Sequence, residues 1–164
     1  MTDFEKLLAI LRFEEGLSLT AYPDPEGQTG TWACASGHQL TDKVICAALG
    51  AGGTLTCDKA LAEAMLREDA HRSMVFARNL FSFYSVREEG ARLVAAALAI
   101  YQIGSKFCQW HDMRVALSCS DWPAVAAAMR ASEWHDKQTP ARAERVCKMI
   151  ATGEWPKGKR NEPN

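Results

Sequence analysis

Apolar residues recur at helical spacing through most of this chain, and one early stretch breaks that rhythm. Phe4, Leu7, Leu8 and Leu11 fall on one face of a helix. Thr2-x-x-Glu5 ahead of them has the form of a capping box, and Gly16 suits a helix stop. The pattern predicts a first helix over residues 3–14 that leaves Glu15 at its C-terminal end. Between Leu17 and Leu40 lie Pro23, Pro25, Gly27, Gly30 and Gly37, a composition for short strands and turns. The clearest strands are 17–22 and 31–36. From Thr56 onward helical spacing returns. Thr56 is the expected cap of a helix carrying Leu61, Met65 and Leu66 and running past Asp69 to Ala77. Residues 91–103 are apolar almost all round, the mark of a buried central helix, and Gly104 is placed to end it. Ser120-Asp121-Trp122-Pro123 and Thr139-Pro140 read as two further helix starts. Val125 and Met129 follow the first; Val146, Met149, Ile150 and a terminating Gly153 follow the second.

The order is one helix, a small β region, then many helices. It predicts an α+β, mostly helical fold with a small antiparallel β lobe and a larger helical lobe around a cleft. The domain is expected over 1–155. Its β lobe spans about 16–56, its helical lobe spans about 57–155 together with the helix 3–14, and 156–164 form a flexible tail.

Composition narrows the function. The 164 residues are enough for one domain with a core, and 48 % hydrophobic with 24 % charged residues is ordinary for a globular protein. The formal net charge of -1 supplies no basic field for nucleic acid. No apolar run approaches membrane-spanning length, so no membrane insertion is expected. Asp3, Glu5 and Lys6 interrupt the N-terminal apolar residues, unlike a signal peptide. The cysteines at 34, 46, 57, 108, 119 and 147 form no C-x-x-C pair and have no zinc-ligand spacing. They are read as small buried hydrophobes of a protein made in a reducing cytoplasm, with Cys34, Cys46 and Cys57 the close-spaced candidates for disulfides under oxidation. No metal and no cofactor are expected.

Glu15 and Asp24 are the carboxyl pair near the junction of the two predicted lobes. Glycoside hydrolysis needs two carboxyl groups in different states, one to donate a proton to the leaving oxygen and one to manage water or developing positive charge. Phe13-Glu14-Glu15-Gly16-Leu17, then Ala21-Tyr22-Pro23-Asp24, then Gly37-His38 resemble the N-terminal signature of phage-type, T4-like lysozymes. Gln102-Ile103-Gly104 is similar to that family's Q-x-G. The run from Trp134 through Gln138-Thr139-Pro140 and Arg142 to Val146 is similar to its W-x-x-Q-T-P-x-R-A-x-R motif with one residue added, and Gly153-Glu154-Trp155 to its G-x-W. The resemblance runs in order over residues 4–155.

This resemblance implies a muramidase, a glycoside hydrolase and endolysin that cuts the β-1,4 MurNAc–GlcNAc bond of bacterial peptidoglycan and lyses the host. It implies Glu15 as general acid, Asp24 as second carboxylate and Arg142 as the basic residue supporting the acid. Gly37, Leu40 and Gln102 are implied to bind substrate. His38 is expected as a hydrogen-bonded scaffold residue. In the family's strand a water-holding Thr follows Trp, whereas Ala33 follows Trp32 here. Thr29 and Thr31 are the other candidates for that task. Ala33 keeps two alternatives open, a lytic transglycosylase and a catalytically weakened wall-binding protein. The resemblance further implies a monomer made in the host cytoplasm that reaches the periplasmic wall through a holin pathway.

Overall fold

The helices beginning at Asp3, Lys43, Lys59 and Trp122 start on side-chain caps. The computed structural model describes residues 1–24, 31–135 and 140–156. Helix α1 covers Asp3–Glu14. Its capping box is formed: the Thr2 amide donates to Glu5 Oε2, and the Glu5 amide to Thr2 Oγ1 at 3.2 Å. Strands β1 (Ser18–Pro23), β2 (Trp32–Ala35) and β3 (His38–Leu40) form an antiparallel sheet in that order. Helices α2 (Lys43–Gly50), α3 (Lys59–Phe83), α4 (Ala91–Ile103), α5 (His111–Ser118), α6 (Trp122–Arg130) and α7 (Pro140–Thr152) follow, with a 3-10 turn over Gly104–Gln109. The fold of the described residues is therefore α+β and mostly helical, with one small antiparallel sheet. No helix among them is long and apolar enough to cross a membrane.

Three differences from the sequence reading have local causes. The expected β lobe contains α2, capped by Asp42 Oδ1, which accepts from the Val44 and Ile45 amides at 2.8 and 3.1 Å. Two turns are too short to show a period. Helix α5, equally short, escaped for the same reason. Helix α3 starts at Lys59 rather than Thr56, because Asp58 takes the capping bond from the Leu61 amide at 2.7 Å while Thr56 bridges to Thr20. It also runs on to Phe83 rather than Ala77. The predicted tail and the Thr139 cap fall mainly on residues 157–164 and 136–139, outside the described set.

The chain divides into two units, Leu8–Asp69 and the larger Met1–Leu7 with Ala70–Asn164. In the larger unit α4 packs on α7, and α6 on both α5 and α7. Val94 and Leu98 of α4, Met113 and Leu117 of α5, Met129 of α6 and Met149 and Ile150 of α7 are fully buried there. Asp3 Oδ2 accepts from the Gly90 amide at 2.7 Å, at the start of α4. Arg92 lies over the Trp122 ring, 4.7 Å from its centroid, and donates from Nε to the Ile150 carbonyl at 3.0 Å. Gly153 has φ 71, and a Cβ there would meet the Arg92 guanidinium carbon at 3.1 Å. A side chain at 153 would thus disturb the arginine that ties α4 to α7.

In the unit Leu8–Asp69 a core of Cys34, Ala35 and Ala62 is covered by Leu19, Ala21, Leu40, Cys57 and Met65, so the sheet packs on the first turns of α3. All six cysteines are free thiols; Cys34 and Cys147 are buried, as read from the sequence, whereas Cys119 is exposed. Burial pushes the Cys147 thiol up to about 11 from an ordinary 9.

Leu98→Ala should lower the unfolding free energy by about 2–5 kcal/mol in urea titration, by deleting buried methyl groups and leaving a cavity. Cys147 gives a pH prediction. Its raised thiol value favours the folded state fully below the ordinary thiol range, and that contribution is lost as pH rises through about 11. The fall in melting temperature across this alkaline window should be shallower in Cys147→Ala than in the native chain.

Candidate active site

Glu15 sits where α1 stops. Its amide still donates to the Leu11 carbonyl at 2.9 Å, so the residue keeps its helical hydrogen bond. Gly16 then turns the chain with φ 66, a left-handed conformation costing other residues roughly 1–2 kcal/mol. The buried Ser36 hydroxyl donates to the Gly16 carbonyl at 3.0 Å, and Ser18 pairs with Ala35 two residues on. The turn after Glu15 is thereby gripped by the tip of the β2–β3 hairpin. One turn earlier, Arg12 pairs with Glu63 of α3, its Nε 3.1 Å from Oε2. The bond holds the Glu63 carboxyl below its usual range. Both side chains are largely exposed, so the pair contributes about 0–1 kcal/mol and acts chiefly to orient the end of α1.

Asp24 is delivered by an irregular strand. Ser18 pairs with Ala35 and Tyr22 with Ala33, so β1 spends two more residues than β2 over the same span. The surplus bulges away and finds another partner: the Ala21 amide donates to the Leu55 carbonyl at 2.8 Å, the Cys57 amide to Leu19 at 2.9 Å, and Thr20 bridges to Thr56. Normal pairing with β2 resumes at Tyr22 and Pro23, and the Asp24 amide donates to the Thr31 carbonyl at 3.0 Å. Tyr22, Ala33 and Gln39 are cross-strand partners in one row over the three strands. At the end of that row the Gln39 amide Nε2 donates to Asp24 Oδ2 at 2.9 Å.

Both carboxyl groups act electrostatically on Tyr22. Burial raises its phenol above the ordinary value, and the negative charges of Asp24 and then Glu15 raise it further. Both carboxylates therefore act on one half-buried ring. The Cys34 thiol, on the adjacent strand position, is raised by burial first and then by its neighbour Cys57, and its Sγ lies 3.8 Å from Met65 Sδ. A half-buried site with two carboxyl groups, one phenol and one amide suits proton transfer to and from a neutral substrate. Among the described residues no group of three or more His, Cys, Asp or Glu side chains could hold a metal ion.

The other candidates from the sequence divide. Ala33 is buried in β2, 2 % exposed, and brings a methyl group into the row where a hydroxyl was sought. Thr31 is half-buried and meets Asp24 through its backbone; Thr29 lies outside the described residues. Gly37 is exposed in the β2–β3 turn, and Leu40 packs on the sheet's own core. Gln102 and Arg142 belong to the larger unit. Gln102 accepts from Trp134 Nε1 at 3.0 Å, and Arg142 is buried in α7, 8 % exposed. His38 is hydrogen-bonded, as expected, with Nδ1 2.7 Å from Asp69 Oδ2 of α3. Sequence reasoning missed Ser36, Gln39, Tyr22 and Asp69. The only signal for the first two was their position beside the Gly37-His38 pair; Asp69 had none, being 31 residues from its partner.

The phage lysozyme family model matches residues 12–146, a span that holds Glu15, Asp24, Ala33, Gln102 and Arg142. No curated protein matches the chain.

His38→Ala should lower stability by about 1–3 kcal/mol in thermal or urea unfolding, because it leaves the half-buried Asp69 carboxylate without this donor.

Proposed function

The chain belongs to the phage lysozyme family, whose members are glycoside hydrolases acting on peptidoglycan, and we propose that it is an inverting muramidase for the β-1,4 MurNAc–GlcNAc bond. The observation that carries this reading is the placement of two carboxyl groups on one small unit, Glu15 at the end of α1 beside a turn bonded to the β2–β3 hairpin and Asp24 at the end of β1, bonded to Gln39 of β3. Glu15 donates its proton to the leaving glycosidic oxygen as the bond to the anomeric carbon breaks, and that oxygen keeps the electron pair. Water attacks the same carbon from the opposite face, and Asp24 takes its proton. Inverting enzymes separate the two groups by about 6.5–9.5 Å to admit the water. The Gly16–Ser36 bond supports Glu15 in this role by fixing the turn that follows it. Gly37 and Leu40 bind the glycan, and Arg142 and Gln102 take the roles that the family resemblance implies for them. The protein works as a monomer and a single lysozyme-like domain on the periplasmic wall, which it reaches through a holin pathway to lyse the host.

Ala33 favours a second reading. Its methyl group cannot hold the attacking water, and a lytic transglycosylase needs none, because the sugar's own hydroxyl attacks. The same lack suits a weakened enzyme that chiefly binds the wall.

Digestion of purified peptidoglycan separates these readings. Reducing muropeptide ends support hydrolysis, anhydro ends support transglycosylation, and an intact wall with folded protein supports the binding role. Glu15→Gln should lower cleavage by about 10²–10⁴ while leaving the melting temperature near native. Ala33→Thr should raise cleavage or leave it unchanged; a large loss would show a site built around the methyl group.

A further inference from the structure

The row Tyr22–Ala33–Gln39 ends in a hydrogen bond that the expected machinery does not use. Gln39 stands in the shortest strand, β3, with its side chain exposed, yet its amide spans to Asp24 Oδ2 at 2.9 Å. An exposed glutamine usually stays solvated. This one is aimed by its strand position: Ala33 is its direct cross-strand partner, and only a methyl group stands between Gln39 and Tyr22 in that row. Asp24 itself follows the last residue of β1, where the ladder ends, and its amide donates to the Thr31 carbonyl.

We propose that Gln39 is a positioning residue for Asp24, and that it stands in for the hydroxyl absent at Ala33. This deepens the muramidase reading and rests on it. The amide donates to one oxygen of the carboxylate. That selects one rotamer of Asp24 for taking the proton of the attacking water. A donor on β3 thus does indirectly, through the carboxylate, what a hydroxyl on β2 would do by holding the water itself. Misplacement of a reacting group by about 1 Å costs on the order of 10²-fold in rate, so one orienting bond is enough to matter.

The test uses the full chain and purified peptidoglycan. Gln39→Leu should lower kcat by about 10- to 100-fold with KM and melting temperature near native. Adding Ala33→Thr to that variant should restore part of kcat. Gln39→Glu keeps the size but sets a second carboxyl against Asp24; its loss should be large at neutral pH and relieved on acidification, a pH dependence that a purely structural glutamine would not show. Native kcat in a folded Gln39→Leu chain overturns the proposal, as does a loss that tracks only KM or melting temperature. If Gln39→Leu fails to fold, the pH profile of Gln39→Glu decides. Should the native chain cleave and Glu15→Gln abolish cleavage while Gln39→Leu is neutral, this inference alone fails; absence of any cleavage by the native chain overturns the muramidase reading with it.

Discussion

The site depends on a strand that changes partners. Over Leu19–Ala21 the backbone of β1 leaves β2 and bonds to Leu55–Cys57, then returns to β2 at Tyr22. Buried backbone amides must be paired, so the bulge can exist only because the segment after α2 supplies the missing carbonyl and amide groups. The apolar side chains of the bulge, Leu19 and Ala21, then cover the small core of Cys34, Ala35 and Ala62. What emerges on the far side of the bulge is Tyr22 and Asp24, both half-buried.

Small residues make this arrangement compact. Ala33, Cys34 and Ala35 fill β2, and Ala62 faces them from α3. Two long-range polar bonds then fasten the sheet to its neighbours: His38 to Asp69 and Ser36 to the Gly16 carbonyl. The first ties β3 to α3 and the second ties the hairpin tip to the turn after Glu15. Neither carries a reacting group. Both limit the freedom of the backbone on which Glu15 and Asp24 stand, which is how a scaffold holds two carboxyl groups in a fixed relation.

The larger unit solves a different problem. Helix α4 is buried at nine of its first ten positions, Ala91 and Leu93–Ile100, with Arg92 the exception. An element apolar on all sides must be surrounded, and α7 supplies one wall. Arg92 is the polar exception, and its charge is used rather than hidden: Glu88, the Trp122 ring and the Ile150 carbonyl all receive it.

Local chemistry in the sequence determined α1, α4, the start of α6 at Asp121 and the end of α7 before Gly153, because caps, prolines, glycines and apolar period act within a turn or two of the residues they govern. It also determined the family, through motifs that lie in order along the chain. It did not show α2 or α5, whose two turns carry no readable period, nor that Asp58 would outcompete Thr56 for the cap of α3. Above all it could not show the bulge of β1, the row of Tyr22, Ala33 and Gln39, or the meeting of His38 with Asp69. Those are decided by strand register and by contacts between residues far apart in sequence, and a register has no address in the local pattern. Glu15 was legible as a carboxylate at a helix end; that the turn after it is held by Ser36 of the β2–β3 hairpin was decided only by the tertiary fold.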